Sequence, residues 1–378
     1  MALKDIVGQN KAVGILLRTI QRGRIPSSYL FAGESGIGKK LAAINFAKAL
    51  NCLGRSQGAE RTAFTDLSSP PPNKGTTVLD SRLTAYDCCD KCSSCKKIDA
   101  EIHPDFLLIS PEGDQIKIEE IRAVDDVLSL KAFEGRYKTI IVDDADAMNQ
   151  YAANAFLKTL EEPPGDSLII LISSNPARLP DTIRSRCSRI NFTPLSLDAC
   201  EEVIMKVLSQ QPENKLLQKR RSEEVRKKRS GEESEATPLY DADAVSLLAL
   251  LSMGRPGDAA SGDLIEERKW FINLLKSMLN MEKDSWASKE DMKKWFDLIL
   301  ILLRDMAVIK IDRDGTALIN IDLKEYIKRL SSPMDLKAII EHYQRLNALK
   351  GYFNFNLNKS LTWNYTGFLL REMDIADA

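Results

Sequence analysis

Histidine is almost missing from this chain, with only His103 and His342 among 378 residues. That scarcity excludes catalysis organised around imidazole pairs and any histidine-rich metal site, so a bound metal would have to be held by sulfur. Net charge is equally scarce. Lys and Arg number 53 against 54 Asp and Glu, leaving −1, which excludes a broadly basic surface for nucleic acid while permitting a local patch. Long apolar runs are absent too. The longest, Leu298–Leu303 (LILILL), falls far short of the ~20 residues that cross a bilayer. The opening MALKDIVGQ carries no basic-then-apolar leader, so the expected compartment is the cytoplasm. What remains is an ordinary globular balance of 44% hydrophobic and 28% charged residues, at a length that predicts two or three domains.

Apolar periodicity organises the first half of the chain. Gly8–Thr19 has helical spacing and stops at Arg22, Gly23 and Pro26. YLFAG reads as a buried strand entering a glycine-rich loop, and KLAAINFAKAL as the helix leaving it. Further strands are expected at 105–109, 139–144 and 167–174, with helices between them. In AANAFLKTLEEPP, Ala153, Phe156, Leu157 and Leu160 share a face, and Pro163-Pro164 ends the helix. Strands alternating with helices imply a parallel sheet covered on both faces. Beyond residue 192 the pattern is helical, and from Leu264 it gains Trp270, Phe271, Trp295 and Phe296. Two segments break it: Leu53–Tyr86, rich in Ser, Pro, Gly and Thr, and the charged stretch 210–238 containing KRRSEEVRKKRSGEESE. The latter interleaves Glu and Ser with its basic residues and brings no aromatic platform, so it reads as a solvated face.

Four motifs carry chemistry. In GESGIGKK, Gly33, Gly36 and Gly38 allow the tight turn that aims backbone N–H groups at phosphate oxygens, and Lys39 adds a point charge. The next position ordinarily supplies a hydroxyl to Mg²⁺ and here is Lys40, which competes with a metal or points away from it. Nucleotide binding is expected and hydrolysis is not; a ligand-free glycine turn is the alternative. In TIIVDDADAM, Asp143 follows an apolar strand, where a Mg²⁺-directed carboxylate belongs. Asp144 stands where a hydrolysing D-E pair has Glu, and its shorter arm sets the carboxylate back by ~1.5 Å. Alternatively these acids cap the next helix, the reading preferred for Asp146. Cys89, Cys92 and Cys95, spaced by two residues, together with Cys52 upstream, make a closed tetrahedral sulfur set for structural zinc. Cys88 in place of Cys89, or an iron–sulfur cluster, are the competing readings. In LPDTIRSRCSRI, read as a loop between a strand and the domain end, an arginine is either a surface charge or salt-bridge partner, or a group presented to a neighbour's phosphates, and spacing alone favours the former readings.

Taken together, DIVGQ, RIPSSYLFAGESGIGKK, CDKCSSCKKI, IHPDF, IKIEEIR, VDDADAMNQYAANAFLKTLEEPP and ISSNPARLPDTIRSRCSRI resemble, in this order, the bacterial DNA polymerase III clamp-loader subunits of the AAA+ class. The resemblance is close over about residues 5–195 and looser to the end, where NFNLNKSL is similar to the family's last helices. It implies an α/β plus all-α fold. An AAA+ parallel-sheet nucleotide-binding domain would span 1–192, with an inserted zinc module at about 52–97 that itself contains the insertion 53–86. A small helical lid domain would cover 193–262, including the 210–238 insertion, and a helical C-terminal collar domain 263–378.

The resemblance also implies roles. Arg186 would be the trans-acting arginine finger, Cys52, Cys89, Cys92 and Cys95 the zinc ligands, and Asn175 or Ser174 the sensor beside the nucleotide. Gly33, Gly36, Gly38, Lys39, Lys40, Asp143 and Asp144 would line the nucleotide site. Lys40, Asp144, and Gly257 (where motor subunits carry a sensing arginine) point to the delta-prime branch, a stator without hydrolysis of its own. The alternative is a gamma/tau-type ATP-hydrolysing motor. Structural Zn²⁺ and bound ATP or ADP are the implied cofactors, and Mg²⁺ is not expected. The implied partners are gamma/tau and delta subunits in a hetero-pentamer, the sliding clamp and primed DNA, with no membrane.

Overall fold

The apolar runs become the strands of one parallel sheet. In a computed structural model, which describes residues 1–54, 81–111, 113, 115–210, 242–260, 264–283, 286–312, 317–354 and 357–372, the strands are β1 (Ser28–Ala32), β2 (Phe106–Ile109), β3 (Lys138–Val142), β4 (Ser167–Ser173) and β5 (Ser188–Asn191). Most of both expected insertions lies outside the described residues. The sheet order is β2-β3-β4-β1-β5, parallel throughout. Every residue of β1, β3 and β4 is buried, as strands covered by helices on both faces must be.

The fifth strand corrects the sequence reading, which leaves Ser188–Asn191 in a loop. Only Ile190 is buried there, so neither an apolar run nor an alternation marks the segment. Its place at the sheet edge comes from backbone pairing with β1, Tyr29 opposite Ser188 and Ala32 opposite Asn191.

The described residues separate into two compact units. The first comprises 1–203 with 254–257. Its opening helix, Asn10–Arg22, ends on Gly23 in the left-handed conformation (φ 63°). The helix Gln150–Glu161 stops just before Pro163-Pro164 and buries Ala153, Phe156 and Leu160 with Leu157 partly covered, as the spacing predicts. Those side chains pack with Ile121, Val124 and Leu128 of the helix Ile118–Ser129 on β1, β3 and β4.

The second unit, 204–253 with 258–378, is helical in its described residues. Helices Leu264–Leu279, Lys289–Ile311, Lys324–Ser331, Leu336–Gly351 and Lys359–Arg371 enclose one apolar core. Aromatic rings centre it: Trp286 meets Trp363 edge-on at 5.0 Å and Phe296 meets Phe353 at 4.8 Å. Among the described residues no helix is long and apolar enough to cross a membrane.

One carboxylate organises the far side of that core. Asp305 is fully buried, accepts the backbone N–H groups of Ile319 and Asn320 and the Asn320 amide, and pairs with Arg304. Arg268 closes the network on Asn320 Oδ1 and the Asp322 carboxylate. Asp305→Ala strands these donors without an acceptor and is expected to cost roughly 3 kcal/mol or more. Denaturant unfolding followed by tryptophan fluorescence measures that loss.

Candidate functional site

The end of β4 holds two loops together. Gly33 N–H donates to Ser173 O (3.2 Å), tying down the loop that follows β1. Ser174 N–H donates to Asp146 Oδ1 (3.1 Å), tying down the acidic turn that follows β3. Because β4 lies between β3 and β1, its end places Asn175, exposed, between the two. Asp146 thus bridges strands and does not cap the next helix; Asn149 caps it, its Oδ1 accepting Ala152 N–H at 2.8 Å.

The loop Gly33–Lys40 has the backbone of a phosphate cradle. Gly36 (φ 72°) and Gly38 (φ 93°) adopt conformations that a side chain would strain, and Gly38 caps the helix Lys39–Asn51. Lys39 is buried, with Nζ bonded to Gly33 O (2.6 Å) and Glu34 O (2.5 Å). Lys40 Nζ lies 3.1 Å from Asp143 Oδ2. Asp143 extends the sheet ladder through its N–H to Ile109 O (2.8 Å). Asp144 turns back with φ 44°, and its carboxyl is held above its ordinary pKa by desolvation, then by Asp143 and Asp146; Lys39 and Lys40 pull the other way. Gly257 N–H donates to Gly36 O at 2.9 Å, closing the segment 254–257 over the loop.

Arg186 is elsewhere. It precedes β5, whose Ser188 pairs with Tyr29 at the start of β1, so it belongs to the sheet edge opposite the phosphate loop. Its Nη2 is 2.6 Å from Glu161 Oε1 and its Nη1 2.7 Å from Thr182 O. The sequence reading missed Glu161; its place at the end of a helix stopped by two prolines was the available clue.

The cysteines form a separate centre at the far end of the helix Lys39–Asn51, roughly 20 Å of helix from the phosphate loop. The Sγ atoms of Cys52, Cys89, Cys92 and Cys95 all lie within 4.8 Å of one another, and Cys88 is outside that set. N–H groups step through it: Cys89 to Cys52 Sγ, Cys92 to Cys89 Sγ and Cys95 to Cys92 Sγ, at 3.3, 3.4 and 3.5 Å. Gly54 leaves room for it, since a Cβ there would sit 3.0 Å from Cys89 Sγ. The donor set and its spacing fit a four-coordinate soft cation and leave no position for a substrate.

Lys48 staples this centre to the fold and was not anticipated. It is fully buried, bonded to Asp90 and Asp99 and to Met1 O (3.0 Å). Burial alone would lower its pKa; the bonds to Asp90 and Asp99 raise it instead. His103, also buried, is held between Ser94 Oγ and Asp105 N–H, and burial lowers its pKa, so it is a neutral packing group.

A Cβ added at Gly257 would lie 2.9 Å from both Gly36 Cα and Gly36 O, closer than backbone atoms tolerate. Gly257→Ala is therefore expected to lower stability by about 1–3 kcal/mol. Thermal and denaturant unfolding check this, and an unchanged midpoint would mean that 254–257 does not rest on the loop.

Residues 8–65 and 76–196 match the family described as DNA polymerase III, delta subunit. The DNA polymerase III subunit delta' of Bacillus subtilis (strain 168) is 35% identical over 194 residues, 51% of this chain and 50% of that protein. The subunit delta' of Pseudomonas aeruginosa is 33% identical over 168 residues, 44% and 43% of the two chains. The tau/gamma subunit of Haemophilus influenzae is 29% identical over 207 residues, 55% of this chain and 26% of that one. The chain thus spans half or less of the length of these relatives. A DNA polymerase III gamma subunit-related protein of Thermotoga maritima superposes with a TM-score of 0.39 at 19% identity over 95% of this chain and 99% of its own. With the family match running through the sheet, the phosphate-type loop and the cysteine centre, the matched part of this chain, residues 8–65 and 76–196, belongs to the family of DNA polymerase III clamp-loader subunits.

Proposed function

We propose that this chain is a delta-prime-type subunit of a DNA polymerase III clamp loader: a stator that presents Arg186 to the nucleotide of an adjacent subunit and does not itself hydrolyse ATP. The observation that carries this reading is the placement of Arg186 across the sheet from its own phosphate loop. Four paired residues of β1 and β5, on the order of 13 Å of strand, intervene. A guanidinium there is poorly placed for its own loop and well placed for a neighbour. Its planar donors suit phosphoryl oxygens, and contact with them requires exchanging the Glu161 carboxylate for phosphate.

Three features support the absence of hydrolysis. Lys40 offers no hydroxyl, Asp144 is shorter than the Glu of a hydrolysing pair, and Gly257 has no side chain and no room for one. ATP or ADP would rest on Gly33–Lys39 with Asn175 beside it. In this reading residues 193–262 form the lid, 263–378 the collar that joins gamma/tau and delta subunits in a hetero-pentamer, and the assembly acts on the sliding clamp and primed DNA in the cytoplasm. The cysteine centre holds structural zinc, which would clamp Cys52 at the helix end to the Cys89–Cys95 segment.

Two experiments test this. In a reconstituted loader, Arg186→Ala is expected to lower clamp- and DNA-stimulated ATP hydrolysis at the site it serves by on the order of 10³-fold, while Lys39→Ala leaves the rate unchanged. A comparable loss from Lys39→Ala would favour the motor reading, and no loss from Arg186→Ala would remove the finger. For the cysteine centre, elemental analysis is expected to find zinc stoichiometric with the chain. Cys95→Ser should lose it and lower the thermal midpoint; a metal-free wild type of equal stability would overturn the assignment.

A further inference from the structure

We propose that the Lys40 ammonium, paired with Asp143, takes the place of a divalent cation, so that this loop binds a nucleoside di- or triphosphate without metal. The proposal rests on the loop's nucleotide-binding reading and is independent of what Arg186 does.

Mg²⁺ does not fit the residues present. It takes oxygen ligands at about 2.0–2.1 Å in near-octahedral geometry, and in a phosphate loop a hydroxyl at the position of Lys40 supplies one of them. The side chain at position 40 carries no oxygen. The Asp143 carboxylate, which would face the metal, already has an ammonium at 3.1 Å. A dication drawn to that carboxylate would sit beside a like charge unless the pair opened first.

The loop's shape is held by the chain itself. Lys39 gathers the carbonyls of Gly33 and Glu34, Gly257 N–H holds the carbonyl of Gly36, and Ser173 O holds the N–H of Gly33. The charge arrangement matches too. Two adjacent ammonium groups, Lys39 and Lys40, stand at the start of a 13-residue helix, where the backbone also favours anions. Asp143, Asp144 and Asp146 face them from the acidic turn, and Lys40, half-exposed, screens the nearest of these from an incoming phosphate.

Calorimetric titration of the full chain with ADP and ATP, in EDTA and in Mg²⁺, tests the proposal, with Mn²⁺ paramagnetic resonance as a direct probe of metal. The wild type is expected to bind equally in both buffers and to hold no Mn²⁺ beside the nucleotide. Lys40→Ser, and Lys40→Thr as a second restoring variant, are expected to bind at least about tenfold more tightly with metal than without, and to show bound Mn²⁺. Circular dichroism establishes that the variants are folded. Three results would overturn the proposal: loss of wild-type binding in EDTA, no wild-type binding in either buffer, or folded Lys40 variants that remain indifferent to metal. Because binding is read without turnover, failure here leaves Arg186 untouched, and failure of the Arg186 experiment leaves this one standing.

Discussion

The end of β4 is the joint on which the phosphate loop and the acidic turn both depend. Ser173 O receives the loop after β1, and Ser174 N–H reaches the turn after β3. Two backbone groups on adjacent residues therefore set the separation between Lys40 and Asp143. That joint exists because β4 is paired on both sides and buried along its whole length, so its end cannot drift. Parallel pairing then brings every loop that follows a strand to the same edge of the sheet, where ligands of open α/β sheets collect.

The same pairing divides the chemistry in two. The segment before β5 and the helix end before β4 fall on the other edge, which is how Arg186 and Glu161 come to face each other away from the loop. The cysteine centre stands apart from both, at the end of a helix, with backbone N–H groups on the sulfurs, a glycine giving room, and a buried lysine fastening the segment, an arrangement that could hold a metal ion.

Within the phosphate loop the chain satisfies its own charges. Lys39 binds loop carbonyls, Lys40 binds Asp143, and the 254–257 segment binds Gly36. The loop keeps a shape suited to phosphate.

Much of this was legible in the residues. Runs such as SLIILIS read as buried strands, glycines spaced as in GESGIGKK read as a tight turn, and cysteines two residues apart converge because so short a segment cannot separate them. Lys40 and Asp144 were visible as departures because local chemistry decides what a side chain can offer. The tertiary structure decided the rest. β5 has one buried residue, and its pairing is a property of its neighbour's unpaired backbone edge. Asp146 serves a strand rather than a helix cap, Glu161 holds Arg186, and Lys48 lies buried between two aspartates, because their partners lie 25 to 51 residues away in the chain. Composition and spacing determine what each residue can do; which distant group it meets is decided by the order of the strands.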